Sequence, residues 1–212
     1  MKPYYDSGGI TIYHGDCRDY LASVEPGSIV CTDPPYGIGW VPRVNHTGSD
    51  HVWHDNEGFD PRPWLAVGAH HLFWGAQYIA NLLPVSDGWF VWVKRPVAGS
   101  DFSKDARTYA TCELAWSDFG RKPRFKSLVW DGGKRAGDKQ NREFCHPSQK
   151  PLEVMRWCLD SAPDGLIVDP FMGSGTTLRA ALDMGRMAIG IELEERYCEI
   201  AAKRMSQGVL QF

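Results

Sequence analysis

Asp33, Pro34, Pro35 and Tyr36 stand in a row directly after the apolar run Ser28 to Thr32, and together they suit one kind of chemistry. An exocyclic amine on a nucleobase is a poor nucleophile because its lone pair is delocalised into the ring. The Asp33 carboxylate and the backbone carbonyl of Pro34 can each accept one N–H, which localises the lone pair on nitrogen and aims it. Proline fixes φ and so holds that carbonyl rigidly. Tyr36 offers a ring for a base that has left its duplex, and stacking needs the ring more than the hydroxyl. No covalent enzyme intermediate is required, so no cysteine nucleophile is sought. In isolation the same four residues read equally well as a Pro-Pro turn with a capping aspartate.

A glycine loop lies in the C-terminal third. The apolar stretch Leu166-Ile167-Val168 runs into Asp169-Pro170-Phe171-Met172-Gly173-Ser174-Gly175-Thr176-Thr177, and a helical pattern follows. Gly173 and Gly175 permit a tight turn and close approach of the backbone to a ligand. A second apolar stretch ends at Glu192, 17 residues after Gly175, where a carboxylate can accept both hydroxyls of a ribose. Leu178 stands where a dinucleotide fingerprint wants a third glycine, and no Gly-Lys-Ser/Thr follows to make a P-loop. The unit reads as a site for a nucleoside without pyrophosphate, and S-adenosylmethionine is such a molecule. A turn with only a packing role is the bland alternative.

The elements that must position these groups alternate along the chain. Strands are predicted at Ile10 to Tyr13, Ser28 to Thr32, His71 to Trp74, Trp89 to Val93, Cys112 to Trp116, Phe125 to Trp130, Leu166 to Val168 and Met187 to Ile191. Helices are predicted around Arg18 to Ser23, Gln77 to Leu83, Leu152 to Leu159, Thr176 to Met184 and Glu195 to Met205. Such alternation predicts a mostly parallel α/β sheet with helices on both faces, in one domain spanning 1–212. Residues 37–63 are rich in Gly, Pro, His and Asn and read as a long mobile loop.

The net charge of -3 argues against a polyanion partner, but its distribution argues for one. Eight basic and two acidic residues lie between Arg121 and Arg142, a local +6 on a body that carries -9. Arg121, Lys122, Arg124, Lys126, Lys134 and Arg135 are therefore candidate DNA-binding residues, with a solvated charged loop as the alternative. His46, His51, His54, His70 and His71 fit no compact ligand spacing, so no metal is expected. The six cysteines form no C-x-x-C pair, and Met1 to Gly9 hold no apolar signal core. No apolar run approaches the roughly 20 residues of a membrane helix. These features predict a cytoplasmic protein with reduced thiols.

Taken in order, the motifs resemble the β group of amino-methylating DNA methyltransferases, which act on adenine N6 or cytosine N4. The resemblance is carried by His14-Gly15-Asp16-Cys17, Asp33-Pro34-Pro35-Tyr36, His146-Pro147-Ser148-Gln149-Lys150-Pro151, Asp169 to Thr177 and Gly190-Ile191-Glu192, and it spans Gly15 to about Met205. The tetrapeptide precedes the glycine loop, so the resemblance implies a circularly permuted Rossmann-like methyltransferase fold. It further implies S-adenosylmethionine as cofactor. Asp16 and Cys17 fall near its adenine, Lys150 beside its methionine end, Asp169, Phe171, Gly173, Ser174, Gly175 and Thr176 along it, and Glu192 on its ribose. Asp33, Pro34, Pro35 and Tyr36 become the catalytic set, and DNA the partner, with adenine N6 favoured because cytosine enzymes of the family tend to carry Ser at the first position. Cytosine N4 methylation is the nearest rival; an RNA adenine methyltransferase and a silent DNA-binding subunit stand further off. A protein glutamine methyltransferase, which would carry Asn at position 33 and its glycine loop first, fails on both features. The chain lacks the long recognition insert of many relatives, so 96–143 and 37–63 are left to read sequence. The target site, a paired restriction endonuclease and the oligomeric state, a homodimer among the options, are not legible.

Overall fold

The computed structural model describes residues 2–39, 58–94, 110–129 and 149–207. Nine strands form one sheet: β1 (Tyr5–Ser7), β2 (Ile10–His14), β3 (Ile29–Thr32), β4 (His70–Trp74), β5 (Gly88–Val93), β6 (Cys112–Ser117), β7 (Arg124–Ser127), β8 (Ile167–Asp169) and β9 (Ala188–Glu192). Their order across the sheet is β1-β2-β9-β8-β3-β4-β6-β5-β7. The centre, from β2 to β4, is parallel. β1 is antiparallel to β2, and β6 is antiparallel to both its neighbours β4 and β5.

The central strands are short continuous apolar runs because both their faces are covered. Every residue of β3 and β8 is buried. α2 (Leu152–Ser161), α3 (Thr176–Asp183) and α4 (Glu195–Ser206) close one face, where Val154, Met155, Leu178 and Ala201 meet Ile10, Ile12, Cys31 and Ile167. The other face packs Val30, Phe73, Trp116, Val168 and Ile191 against Tyr20, Val24, Phe59, Trp64 and Ile79. These come from α1 (Arg62–Leu65), from single-turn 3-10 segments and from connecting chain. Strand alternation divides the two cores: Trp92 and Phe90 of β5 turn to the helix face, and Trp116 of β6 turns to the other.

Two predicted helices are tight turns instead. Residues Cys17–Asp19 and Leu21–Ser23 are 3-10 turns, the first capped by Asp16, whose side chain accepts from the Arg18 N–H. Likewise Ala76–Tyr78 and Ala80–Leu82 are separate turns, broken at Ile79 (φ -122°, ψ 15°), a β-branched residue outside the helical region. Strand β1 carries no apolar signal in its Tyr-Asp-Ser sequence and was not predicted.

The chain leaves β8 toward β9 on one side and leaves β3 toward β4 on the other. Strands 8 and 3 are neighbours, so this is the point where connections diverge, and a crevice opens beyond their carboxyl ends.

Candidate active site

Register brings four motifs to that one edge. His14 pairs with Glu192, Asp169 with Gly190, and Val30 with Val168. The turns that follow β2, β9, β8 and β3 therefore stand side by side, and they carry Asp16, Glu192, the glycine loop and Asp33. Residues 177 positions apart in sequence become neighbours through ladder hydrogen bonds alone, as where the Gly15 N–H donates to the Glu192 carbonyl at 2.9 Å.

At the β3 end, Asp33 is a largely enclosed carboxylate with a donor on each oxygen. The Tyr36 hydroxyl donates to Oδ1, and Lys150 Nζ donates to Oδ2 at 2.5 Å. Lys150 also reaches the Tyr36 hydroxyl oxygen at 3.2 Å and ion-pairs with Glu113 Oε2 at 3.1 Å. Its ammonium lies 5.5 Å from the centre of the Trp74 ring. Glu113 in turn pairs with Lys94. Burial pushes the Asp33 carboxyl above its ordinary range, against the pull of Lys150. Burial also works to discharge Lys150, but Asp33 and Glu113 outweigh it and hold the ammonium firmly protonated. The Tyr36 hydroxyl, buried beside Asp33, is held well above its usual range and stays a donor. An ionised carboxylate has about four lone-pair sites, so the two donors present leave room for a substrate N–H.

Tyr36 sits against Gly75. A Cβ at Gly75 would fall 1.9 Å from the Tyr36 ring, and its φ of 68° is left-handed, so position 75 admits only glycine for two independent reasons. The Tyr36 ring stacks on exposed Tyr78 at 5.1 Å between centroids.

At the β8 end, Asp169 is buried and turned into its own loop. It accepts from the Thr32 hydroxyl at 2.7 Å and the Phe171 N–H at 3.1 Å, and Thr177 also bonds it. Burial raises its pKa to about 6. Glu192 closes the loop from the next strand, Oε2 accepting from the Gly173 N–H at 3.0 Å and Oε1 from the Glu194 N–H at 2.8 Å. Gly173 and Gly175 both have positive φ, 52° and 77°. The Ser174 hydroxyl donates to Gln149 at 3.1 Å, which ties the loop to the segment bearing Lys150. Phe171 meets Phe59 edge-on at 5.5 Å. Thr176 is buried with its hydroxyl accepting from Arg204 of α4 at 3.1 Å, and Cys17 is a buried thiol pushed up to about 12 by burial and by Asp16. The acceptor set fits a nucleoside: two carboxylates, Asp16 and Glu192, flank a loop whose backbone is already bent for close approach.

Residues 86–203, more than half of the chain, match the N6/N4 methyltransferase family, described as DNA methylase. The chain belongs to this family of amino-methylating DNA methyltransferases. Type II methyltransferase M.ScaI of Streptomyces caespitosus is 27% identical over 96% of this chain and 84% of its own length. M2.MboI of Moraxella bovis is 28% identical over 96% of this chain and 91% of its own. Among solved structures, the M1.HpyAVI-SAM complex aligns with a TM-score of 0.58 at 24% identity, covering 92% of this chain and 99% of that one. The cytosine-N4-specific PvuII DNA methyltransferase aligns with a TM-score of 0.63 at 16% identity over 100% and 91%. Both structures share the fold.

Lys150 belongs to the Asp33 network, its ammonium sitting between the carboxylates of Asp33, just after β3, and Glu113 of β6. Of the basic residues of β7, Arg124 stands away from the crevice, whereas Lys126 pairs with Trp92 one residue from it. Arg124 pairs with Phe90 early in β5, whereas the crevice lies beyond Val93 where Lys94 meets Glu113. Its guanidinium donates to the Ser161 hydroxyl at 2.6 Å, at the far end of α2. Lys126, two residues on, shares that face. Arg121 and Lys122 precede β7 at the same remote end. Lys134, Arg135, the loop 40–57 and residues His146 to Ser148 lie outside the described residues.

Glu113, Lys94, Gly75, Tyr78 and Thr32 border the site and are not among the residues the sequence assigns to it. Glu113 alone carried a signal: a lone acid inside the apolar strand Cys-Glu-Leu-Ala-Trp-Ser. Among the described residues, no three His, Cys, Asp or Glu cluster to hold a metal, and no helix is long and apolar enough to cross a membrane.

Proposed function

We propose that this enzyme methylates adenine N6 in DNA at the Asp33-Pro34-Pro35-Tyr36 turn. When bound, S-adenosylmethionine supplies an electrophilic methyl group carried beside this turn. Glu192 and Asp16 hold its nucleoside, and the loop from Asp169 to Gly175 fixes its depth in the crevice. Asp33 accepts one N–H of the target amine and the Pro34 carbonyl the other, which concentrates the nitrogen lone pair on the side facing the methyl group. Lys150 and Tyr36 hold the Asp33 carboxylate still while this happens.

The single observation that carries the reading is the fixed Asp33 carboxylate at the strand junction, one strand from the glycine loop. Aspartate in place of serine favours adenine. The cytosine-N4 reading has the structural likeness to the PvuII enzyme in its favour.

The test is product identity. Duplex DNA treated with enzyme and S-adenosylmethionine is digested to nucleosides and analysed by mass. N6-methyldeoxyadenosine supports the reading; N4-methyldeoxycytidine transfers the same mechanism to the other base. Asp33→Ala is expected to keep cofactor binding and lose methyl transfer by at least a hundredfold, about 3 kcal/mol of transition-state stabilisation.

A further inference from the structure

Glu113 has no role in the mechanism above, yet its carboxylate is largely buried between two lysines. It lies on β6, on the sheet face shared with Ala115, and reaches Lys150 on one side and Lys94 on the other. A buried ion pair is a costly way to hold a fold, since desolvation offsets much of its attraction. The arrangement has a chemical consequence instead. Lys150 alone beside Asp33 would form a tight two-body pair, and a neutral substrate amine would compete with an ammonium for the same carboxylate.

We propose that Glu113 is a positioning residue for methyl transfer, taking up part of the Lys150 charge so that Asp33 stays open to the target amine. Lys94 sets how much it takes, by occupying the second oxygen of Glu113. The inference rests on Asp33 being the amine acceptor. Among the described residues, the charged and titratable groups facing Asp33 are Lys150 from the segment before α2, Glu113 from β6, Tyr36 from its own turn, Cys31 from β3 and Asp169 from β8. Among these, Glu113 is anionic, with Lys150 and Lys94 holding its carboxyl below the ordinary range despite burial.

Two substitutions then move one observable in opposite directions. In Glu113→Gln, Lys150 turns wholly to Asp33. The acid limb of the kcat profile shifts to lower pH by about half a unit or more, while kcat on the plateau falls roughly tenfold because Asp33 is clamped. In Lys94→Met, Glu113 draws Lys150 off Asp33, and the acid limb shifts to higher pH. The KM for S-adenosylmethionine stays within twofold in both, and thermal melting of each variant reports folding separately. Opposite shifts establish the role. Parallel or absent shifts, with both variants folded, overturn it and make the lysine–glutamate chain structural. A variant that fails to fold leaves the other to decide, since each predicts its own sign. Asp33→Ala run alongside separates the two ideas: if that variant retains turnover, the acceptor assignment itself fails, whereas a dead Asp33→Ala with an unmoved Glu113→Gln profile rejects only the role of Glu113.

Discussion

The Tyr36 hydroxyl changes what a single atom is expected to do. From the sequence, only the ring mattered. In the folded protein the hydroxyl donates to Asp33 and accepts from Lys150, so Tyr36→Phe removes a donor from a charged, enclosed acceptor. A hydrogen bond to a charged group contributes about 1.5 to 3 kcal/mol, and we expect kcat to fall roughly tenfold with cofactor affinity unchanged by calorimetry. Loss of a donor also destabilises the anion, so the acid limb of the profile moves to higher pH; a variant with the parent's kcat and profile refutes this. Glu192 is the corresponding residue for the cofactor. Glu192→Ala is expected to weaken S-adenosylmethionine binding by roughly ten- to a hundredfold. Because Glu192 also anchors the Gly173 and Glu194 N–H groups, Glu192→Gln, which keeps one acceptor oxygen, should bind between the two.

Elements meet at positions where size or charge is tightly constrained. The turn after β4 presses on Tyr36 at Gly75, where any Cβ collides with the ring and the left-handed backbone adds strain of about 1 to 3 kcal/mol. Gly75→Ala should displace Tyr36 and cut turnover while the cofactor, one strand junction away, still binds; retained activity rules out the rigid contact. Where β8 meets β3, Asp169 is buried with a pKa of about 6 against an ordinary 3.8. A carboxyl whose folded pKa is raised contributes stability that is complete below its unfolded pKa and is lost as pH rises through the folded one. Two pKa units correspond to about 3 kcal/mol. Asp169→Asn, which keeps the acceptor for Thr32 and carries no charge, should therefore gain stability on the parent by up to about that amount between pH 4 and pH 7. Parallel stability curves for the two proteins over that window would show that folding does not raise the Asp169 pKa.

At the scale of the molecule, the fold places part of the basic stretch. The dense basic stretch invited a phosphate contact beside the crevice, yet the face of β7 carrying Arg124 and Lys126 turns toward α2, with Arg124 bonded at its remote end. Each phosphate contact contributes about -0.9 to the slope of log affinity against log salt. Changing Arg121, Lys122 and Arg124 together to Ala should leave that slope within about one contact of the parent. A slope flatter by two contacts or more would return these three residues to the DNA path.

The sequence by itself determined the chemistry and the order of its parts. Asp33-Pro34-Pro35-Tyr36, the glycine loop and Glu192 are local signals, since prolines, glycines and strand-end acids act through the backbone next to them. Strands β2, β3, β8 and β9 and helices α2 to α4 were legible for the same reason, as short apolar runs or periodic faces. Only the tertiary structure decided which lysine serves which carboxylate. Lys150 lies 117 positions from Asp33, and its place beside that carboxylate depends on how strands 3, 4 and 6 stack their ends. Glu113, Lys94 and Gly75 entered the site the same way, through register across a sheet, as pairings between distant strands that no local spacing encodes.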